Sequence, residues 1–176
     1  SDVEAAVLET ARGGLLRRGL ALADADVAVV TNISADHFGE YGVHSVEDLA
    51  GVKLTVARAV AARGWLVLNA EDPLLRGLGP AHATRIAWFA TDHVALPAEA
   101  MDVPRCAVRD GRLLLDDGAE THDLGGIAAM PIALEGRARY NIANAAGAAL
   151  AASLLRVPIT AIRAVLADFG RSHADN

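Results

Sequence analysis

The sequence predicts an α/β fold: a mostly parallel sheet with helices on both faces and a small antiparallel β annex. Three observations carry that expectation. Short, continuously apolar runs at 5–8, 27–30 and 65–68 are separated by a short helical stretch (15–22) and by a helix-patterned segment, as expected of strands covered on both faces. Each run stops abruptly at polar or acidic residues: Glu9-Thr10, Thr31-Asn32, and Asn69 through Asp72. Beyond residue 97 the pattern changes to closely spaced strands broken by Asp110-Gly111 and Asp117-Gly118, the dipeptides of tight hairpin turns.

Taken in order, 5–8 is the first expected strand. Gly13-Gly14 makes a flexible turn, and 15–22 is a short helix leading to Asp24 and Asp26. The run 27–30 is the expected central strand and delivers Asp36, His37 and Glu40 within one short loop. Ser45 is a good N-cap, with Glu47 and Asp48 in the first turn, where the helix dipole favours carboxylates. The helix it opens carries Leu49, Val52, Val56, Ala59 and Val60 at spacings of three and four and is expected to end near Arg63-Gly64. Asp72-Pro73 starts a short helix that Gly79-Pro80 stops, and 85–89 is a fourth strand. Strands at 105–108, 112–115 and 120–123 form the annex, which 131–134 closes. Two helices finish the chain, over 140–155 and over 160–168 with Thr160 as cap. The expected organisation is one domain: a parallel part (1–96), the annex (97–134) and the C-terminal helices (135–176). It opens so close to core structure that a piece of a larger protein is expected.

Composition narrows the classes. The chain of 176 residues is 53% apolar but only 4% aromatic, so its core must be built mainly of Ala, Val and Leu. Sixteen basic residues against 22 acidic ones give a net charge of −6, with no basic block to follow a phosphate backbone; nucleic acid is not an expected partner. A single cysteine, Cys106, makes neither an internal disulfide nor a cysteine metal site and suits a reducing, cytoplasmic setting. The most apolar long segment, 142–155, is interrupted by Asn144 and Ser153 and falls short of the roughly 20 residues that span a bilayer. No membrane partner is expected, and no signal-peptide pattern is visible.

In open α/β sheets ligands sit beyond the carboxyl ends of the strands, so the acidic strand ends mark the expected functional face. Glu9, Asp36 and His37 pair carboxylates with an imidazole there, a donor set that suits a hard divalent cation; the competing reading is solvated loop residues. Lys53 stands in line with Leu49 and Val56 on the inward side of its helix, where a lysine is unexpected unless it snorkels outward. Asn141 and Asn144, three apart at the start of an Ala-rich helix, offer amides to a base-like ligand, although asparagine is also an ordinary helix-start residue. Gly13-Gly14 is a candidate phosphate cradle, but no GxxxxGK[ST] phosphate loop occurs in the chain. His44, His82, His93, His122 and His173 have no partners at ligand spacing and read as surface or loop residues, while Trp65 and Trp88 read as core.

Five motifs fall in the order seen in Mur ligases: Glu9-Thr-Ala-Arg-Gly-Gly-Leu-Leu-Arg-Arg-Gly-Leu20, Val30-Thr-Asn-Ile-Ser-Ala-Asp-His37, Glu47-Asp-Leu-Ala-Gly-Val-Lys53, Leu68-Asn-Ala-Glu-Asp-Pro73 and Tyr140-Asn-Ile-Ala-Asn144. The chain resembles that family's central, ATP-binding domain over nearly its whole length, and the first motif is similar in particular to the ligase half of cyanophycin synthetases. The resemblance implies an ATP-dependent amide ligase that uses Mg2+, phosphorylates a carboxylate and lets an amine displace the phosphate. It implies magnesium ligands at Glu9 and His37, and at Lys53 the lysine that several members carry as a carbamate. Asn141 and Asn144 match the adenine-contacting motif, with Tyr140 in place of its usual histidine; Asn32 and Asp72 lie in matched motifs without an assigned role. In the family the phosphate loop precedes the first residue of this stretch and a closing domain follows its last, so the isolated chain is expected to be inactive.

The substrate implied is an amino acid, arginine above all, joined to a polyaspartate chain, and a homo-oligomeric parent is compatible with it. Rival readings are a Mur-type ligase for peptidoglycan or polyglutamate, a non-catalytic assembly module, and a metal hydrolase using Asp36, His37 and Lys53.

Overall fold

A computed structural model describes residues 4–33, 44–83 and 85–171. Its centre is a six-stranded sheet in the simple order β1 to β6: β1 (Ala25–Val30), β2 (Val60–Asn69), β3 (Ile86–Ala90), β4 (Arg105–Arg109), β5 (Arg112–Asp116) and β6 (Thr121–Gly126). The first four run parallel and the last three antiparallel. The expected antiparallel annex is added directly onto the parallel sheet: β4 pairs with β3 on one side and β5 on the other, and the sheet continues into a meander.

The sheet is covered by helices α1 (Arg12–Arg18), α2 (Val46–Leu54), α3 (Pro73–Leu78), α4 (Arg139–Leu154) and α5 (Ile159–Asp168). Strand alternation sends side chains to two cores. Val67, Ala87, Phe89 and Cys106 join Ile142, Ala146, Leu150 and Ile162 on the α4–α5 face. Leu66, Leu68, Trp88 and Ala90 join Leu54 and Leu75 on the α2–α3 face. The scarcity of aromatics is met by alanine: Ala145, Ala146, Gly147 and Ala149 let α4 lie close on the sheet.

Several elements differ from expectation. The run 5–8 forms no strand: Val7 is 94% exposed, and no described residue ladders with it. A four-residue apolar run becomes a strand only where a neighbour accepts its backbone hydrogen bonds. For the same reason β1 is an edge strand among the described residues, not a central one, and Val29 is partly exposed. Helix α2 stops at Leu54 and tightens into a 3-10 turn, Thr55–Ala59, where Thr55 Oγ1 donates to the Gly51 carbonyl at 3.1 Å. Residues 60–64 then enter β2, because Ala25 of β1 pairs with Val60. Pro131–Ala133 is a 3-10 turn, not a closing strand, and α5 is capped by Pro158, with Thr160 inside the helix. His122 is not a free loop residue; it lies on β6 and its Nε2 meets Asp117 Oδ2 at 2.9 Å.

Other signals hold. Ser45 and Asp48 form a reciprocal capping box at the start of α2. The His44 backbone N–H, and after it the Ser45 hydroxyl, hold the Asp48 carboxyl below the usual carboxylate range. Asp72 caps α3 by accepting from the Leu74 and Leu75 N–H groups at 3.0 and 3.1 Å. Its other oxygen accepts from the Ile33 N–H at 2.5 Å, tying the segment after β1 to the start of α3. Asp72→Ala is expected to remove both functions and to lower stability by about 2 kcal/mol, read from the midpoint of urea unfolding.

Gly64 sits where the β1–β2 register shifts between Ala25 and Val27. A Cβ there would lie 2.8 Å from the Asp26 carbonyl oxygen and 3.0 Å from that of Ala25. Backbone cannot swing aside as a side chain can. Gly64→Ala is therefore expected to cost about 1–3 kcal/mol, despite alanine's smaller conformational entropy; a neutral result in thermal melts would contradict the contact.

Candidate functional site

At the carboxyl ends of the parallel strands the backbone is fastened by side chains. Asn69, the one buried polar residue among those described, donates from Nδ2 to the Thr31 carbonyl at 2.9 Å and accepts at Oδ1 from the Glu71 N–H at 2.9 Å. It thereby joins the exits of β1 and β2. One strand further on, Glu71 accepts from the Thr91 N–H at 3.0 Å and the Thr91 hydroxyl at 2.7 Å. Arg139, at the start of α4, donates to Glu71 Oε1 and to Thr91 Oγ1, both at 2.7 Å. The start of α4 is thus anchored to the exits of β2 and β3. These groups were not singled out as site residues in the sequence. The signal was there in Asn69-Ala-Glu-Asp72, a cluster of polar residues directly after an apolar strand.

Beside β1 a cavity of ≈ 690 Å³ opens between α1, α2 and α4. Its lining brings together Glu9, Asn32, Lys53 and Asn144, which are up to 135 positions apart in sequence (144 − 9). Lys53 reaches it from the last turn of α2, and its Nζ donates to the Asn32 carbonyl at 2.7 Å and to Asn32 Oδ1 at 3.4 Å. The lysine is neither core nor simple snorkel: it is half-buried, with its ammonium held on the polar exit of β1. Glu9 contributes an exposed carboxylate, and α4 contributes Asn144.

Asn141 is placed differently. Its Nδ2 donates to the Ile132 carbonyl at 2.8 Å, and it does not line the cavity. Three residues advance a helix by about 300°, leaving the two asparagines about 60° apart around the axis; the turn ending at Ala133 captures the first. Asp36 and His37 lie outside the described residues. Gly13 and Gly14 fall inside α1, not in a loop that could wrap a phosphate.

The cavity's donor set can be weighed against a magnesium ion. No group of three or more His, Cys, Asp or Glu side chains converges among the described residues. Magnesium is ordinarily held by only one or two carboxylates together with substrate phosphates and water, so the Glu9 carboxylate on a mostly apolar cavity that also carries Asn32 and Asn144 fits that chemistry. Lys53 adds a positive charge where phosphate oxygens would gather. Among the described residues no helix is long and apolar enough to cross a membrane.

Comparison with known proteins agrees with this architecture. Residues 1–152 match the family profile "Mur ligase middle domain". The chain is 39% identical over 173 residues to a cyanophycin synthetase of Trichormus variabilis, covering 97% of this chain and 19% of that protein. It is 32% identical to a UDP-N-acetylmuramoylalanine–D-glutamate ligase of Chlorobaculum tepidum, covering 82% of this chain and 31% of that one. The chain thus spans about a fifth of the length of the cyanophycin synthetases it matches. A pseudomurein peptide ligase type C from Methanothermus fervidus superposes with a TM-score of 0.55 at 19% identity, over 85% of this chain and 35% of that structure, a likeness of fold. The α/β sheet and the profile match over 1–152 lead to one conclusion: this chain belongs to the Mur ligase middle domain family.

Proposed function

We propose that this chain is part of the ATP-binding central domain of an ATP-dependent carboxylate–amine ligase, of the cyanophycin synthetase kind, that adds arginine to a polyaspartate chain through an acyl phosphate. The observation that carries the reading is that Glu9, Asn32, Lys53 and Asn144 all line one cavity, which runs along β1 to its carboxyl end. In this reading Glu9 and His37 hold magnesium, Asn144 serves the adenine while Asn141, bonded to the Ile132 carbonyl, fixes the start of α4 beside it, and Asn32 steadies the nucleotide side of the cavity through its grip on Lys53. A divalent cation there supplies charge neutralisation and alignment for two anions, a carboxylate and a phosphate, that otherwise repel.

The chain's own residues do the rest. Asn32 aims the Lys53 ammonium toward the cavity, where it is positioned to attract phosphate oxygens. The Glu71–Thr91–Arg139 network fixes the start of α4, and with it the placement of Asn144. The apolar strand β1 and Val56 form one wall and limit access of water.

ADP release by the full-length protein with magnesium tests the reading, offering arginine with aspartyl primers and, separately, muropeptide or glutamate substrates. Release that needs arginine and the primer supports it. Release only with the other substrates keeps the ligase chemistry but assigns it to another polymer, the reading favoured by the 32% identity to a D-glutamate ligase. Within the same assay His37→Ala and Glu9→Gln are each expected to reduce turnover at least about a hundredfold, the scale on which positioned electrostatic groups act; unaltered turnover would remove those residues from the site.

A further inference from the structure

The connection from β3 to β4 is parallel, and such a crossover ordinarily lays an α-helix over the sheet. Here it consists of two 3-10 turns, His93–Ala95 and Ala98–Asp102. The second is held by one side chain. Arg105, the first residue of β4, donates from Nη1 to the carbonyls of Ala100, Met101 and Val103 at 3.0, 2.8 and 3.3 Å, and its Nη2 donates to Asp116 Oδ2 at 2.6 Å. A guanidinium carries its donors in a rigid fork, so this grip fixes the turn and the side chains it displays. Beside the turn lies a hollow of ≈ 760 Å³, lined by Ile86 and Trp88 of β3 and by Pro97 and Val103 of the crossover.

Two charged side chains also line it, Arg76 from α3 and Glu99 from the clamped turn. Both are exposed, and neither side chain has a hydrogen-bond or ion-pair partner among the described residues. Two positions on from each stands an exposed apolar side chain, Leu78 at 38% and Met101 at 52% exposure. Apolar surface with charge at its rim is the usual form of a protein–protein contact. Opposite charges left unpaired on one face are, moreover, complementary to a second copy of that face. A two-fold axis lying in the interface and crossing the line between them sets Arg76 of each copy on Glu99 of the other, for any spacing of the two within one chain.

We propose that this face is a contact between two copies of the protein, related by a two-fold axis, in which two Arg76–Glu99 ion pairs flank an apolar centre supplied by Leu78 and Met101. Each guanidinium meets the carboxylate it lacks within its own chain. Met101, unbranched and adaptable, follows the apolar surface of the partner. A partner of one charge sign would satisfy one of the two groups and repel the other, which selects a second copy over a basic or an acidic protein. The contact is independent of the ligase reading: it uses none of the residues assigned to nucleotide or metal, and its hollow shares no lining residue with the cavity that holds Lys53.

The test is sedimentation velocity of the full-length protein over a range of concentrations. The parent is expected to be an even-numbered oligomer. Arg76→Glu or Glu99→Arg alone should halve its mass, because each variant sets like charges against each other at both pairs and raises the dissociation constant of the contact at least about a hundredfold. The charge-exchanged double variant, Arg76→Glu with Glu99→Arg, should regain the mass of the parent. An equimolar mixture of the two single variants should regain it as well, since each supplies the charge the other lacks, a recovery that misfolding of either variant cannot give. A monomeric parent, single variants of unchanged mass, or a mixture that stays dissociated would each overturn the proposal.

Discussion

Lys53→Ala is expected to lower ADP release by the full-length protein about 10²–10³-fold while leaving its folding intact. Lys53 is the cation that lines the cavity beside β1, and it reaches that position from the end of a well-capped helix. In the proposed ligase, removing a preorganised charge from beside the nucleotide phosphates loses its effect on the transition state without giving up core volume. Two controls separate this from a packing defect. Asn32→Ala keeps the backbone carbonyl that accepts from Nζ at 2.7 Å and deletes only the 3.4 Å amide contact; its effect should be far smaller. Lys53→Arg preserves a positive charge but, because a guanidinium stays protonated, offers no free amine. Retained turnover in that variant identifies the cation as the working group. Loss equal to that of alanine identifies a carbamate on the lysine instead. A Lys53→Ala protein with near-normal turnover would sink both roles.

How much of this was legible in the sequence differs between strand and loop. Apolar runs that stop at Asn32 and Asn69 placed β1 and β2, and Asp72-Pro73 and Ser45 placed the starts of α3 and α2, because capping is local chemistry. What the sequence could not place was anything that depends on a neighbour. Residues 5–8 look like 27–30 in composition, yet among the described residues only the second run has a strand to pair with. Spacings of three and four carry the expected α2 to Arg63-Gly64, whereas the helix changes to 3-10 at Thr55, since Val60 satisfies a helical period and a strand pairing equally well. At the site, Lys53 stood out because a lysine on an apolar face needs a reason, and the Asn32 carbonyl supplies it. Arg139 did not stand out: its partners Glu71 and Thr91 lie 68 and 48 positions away, a relation that only the folded sheet creates.

The core makes the other large prediction. Phe89 is fully buried on β3, and its ring lies against α4 at Gly147, where a Cβ would come within 3.2 Å of the ring edge. The buried face of α4 is mostly alanine and glycine, at Ala145, Ala146, Gly147 and Ala149, with Ile142 and Leu150 as its larger side chains. A truncated side chain is filled only if neighbours can lean in, and alanines have no atoms to extend. Phe89→Ala should therefore leave its cavity largely open and cost toward the upper end of about 3–5 kcal/mol. Phe89→Leu, which keeps much of the volume, should cost less than about 1.5 kcal/mol. Denaturant unfolding of both variants measures the difference. If the two lose stability equally, shape at the ring and not volume governs the contact, and the account of an alanine-lined helix that cannot relax onto β3 is wrong. If alanine costs little, α4 must shift toward the sheet, and Asn144 would move with it, so that the core and the cavity beside β1 would respond to the same substitution.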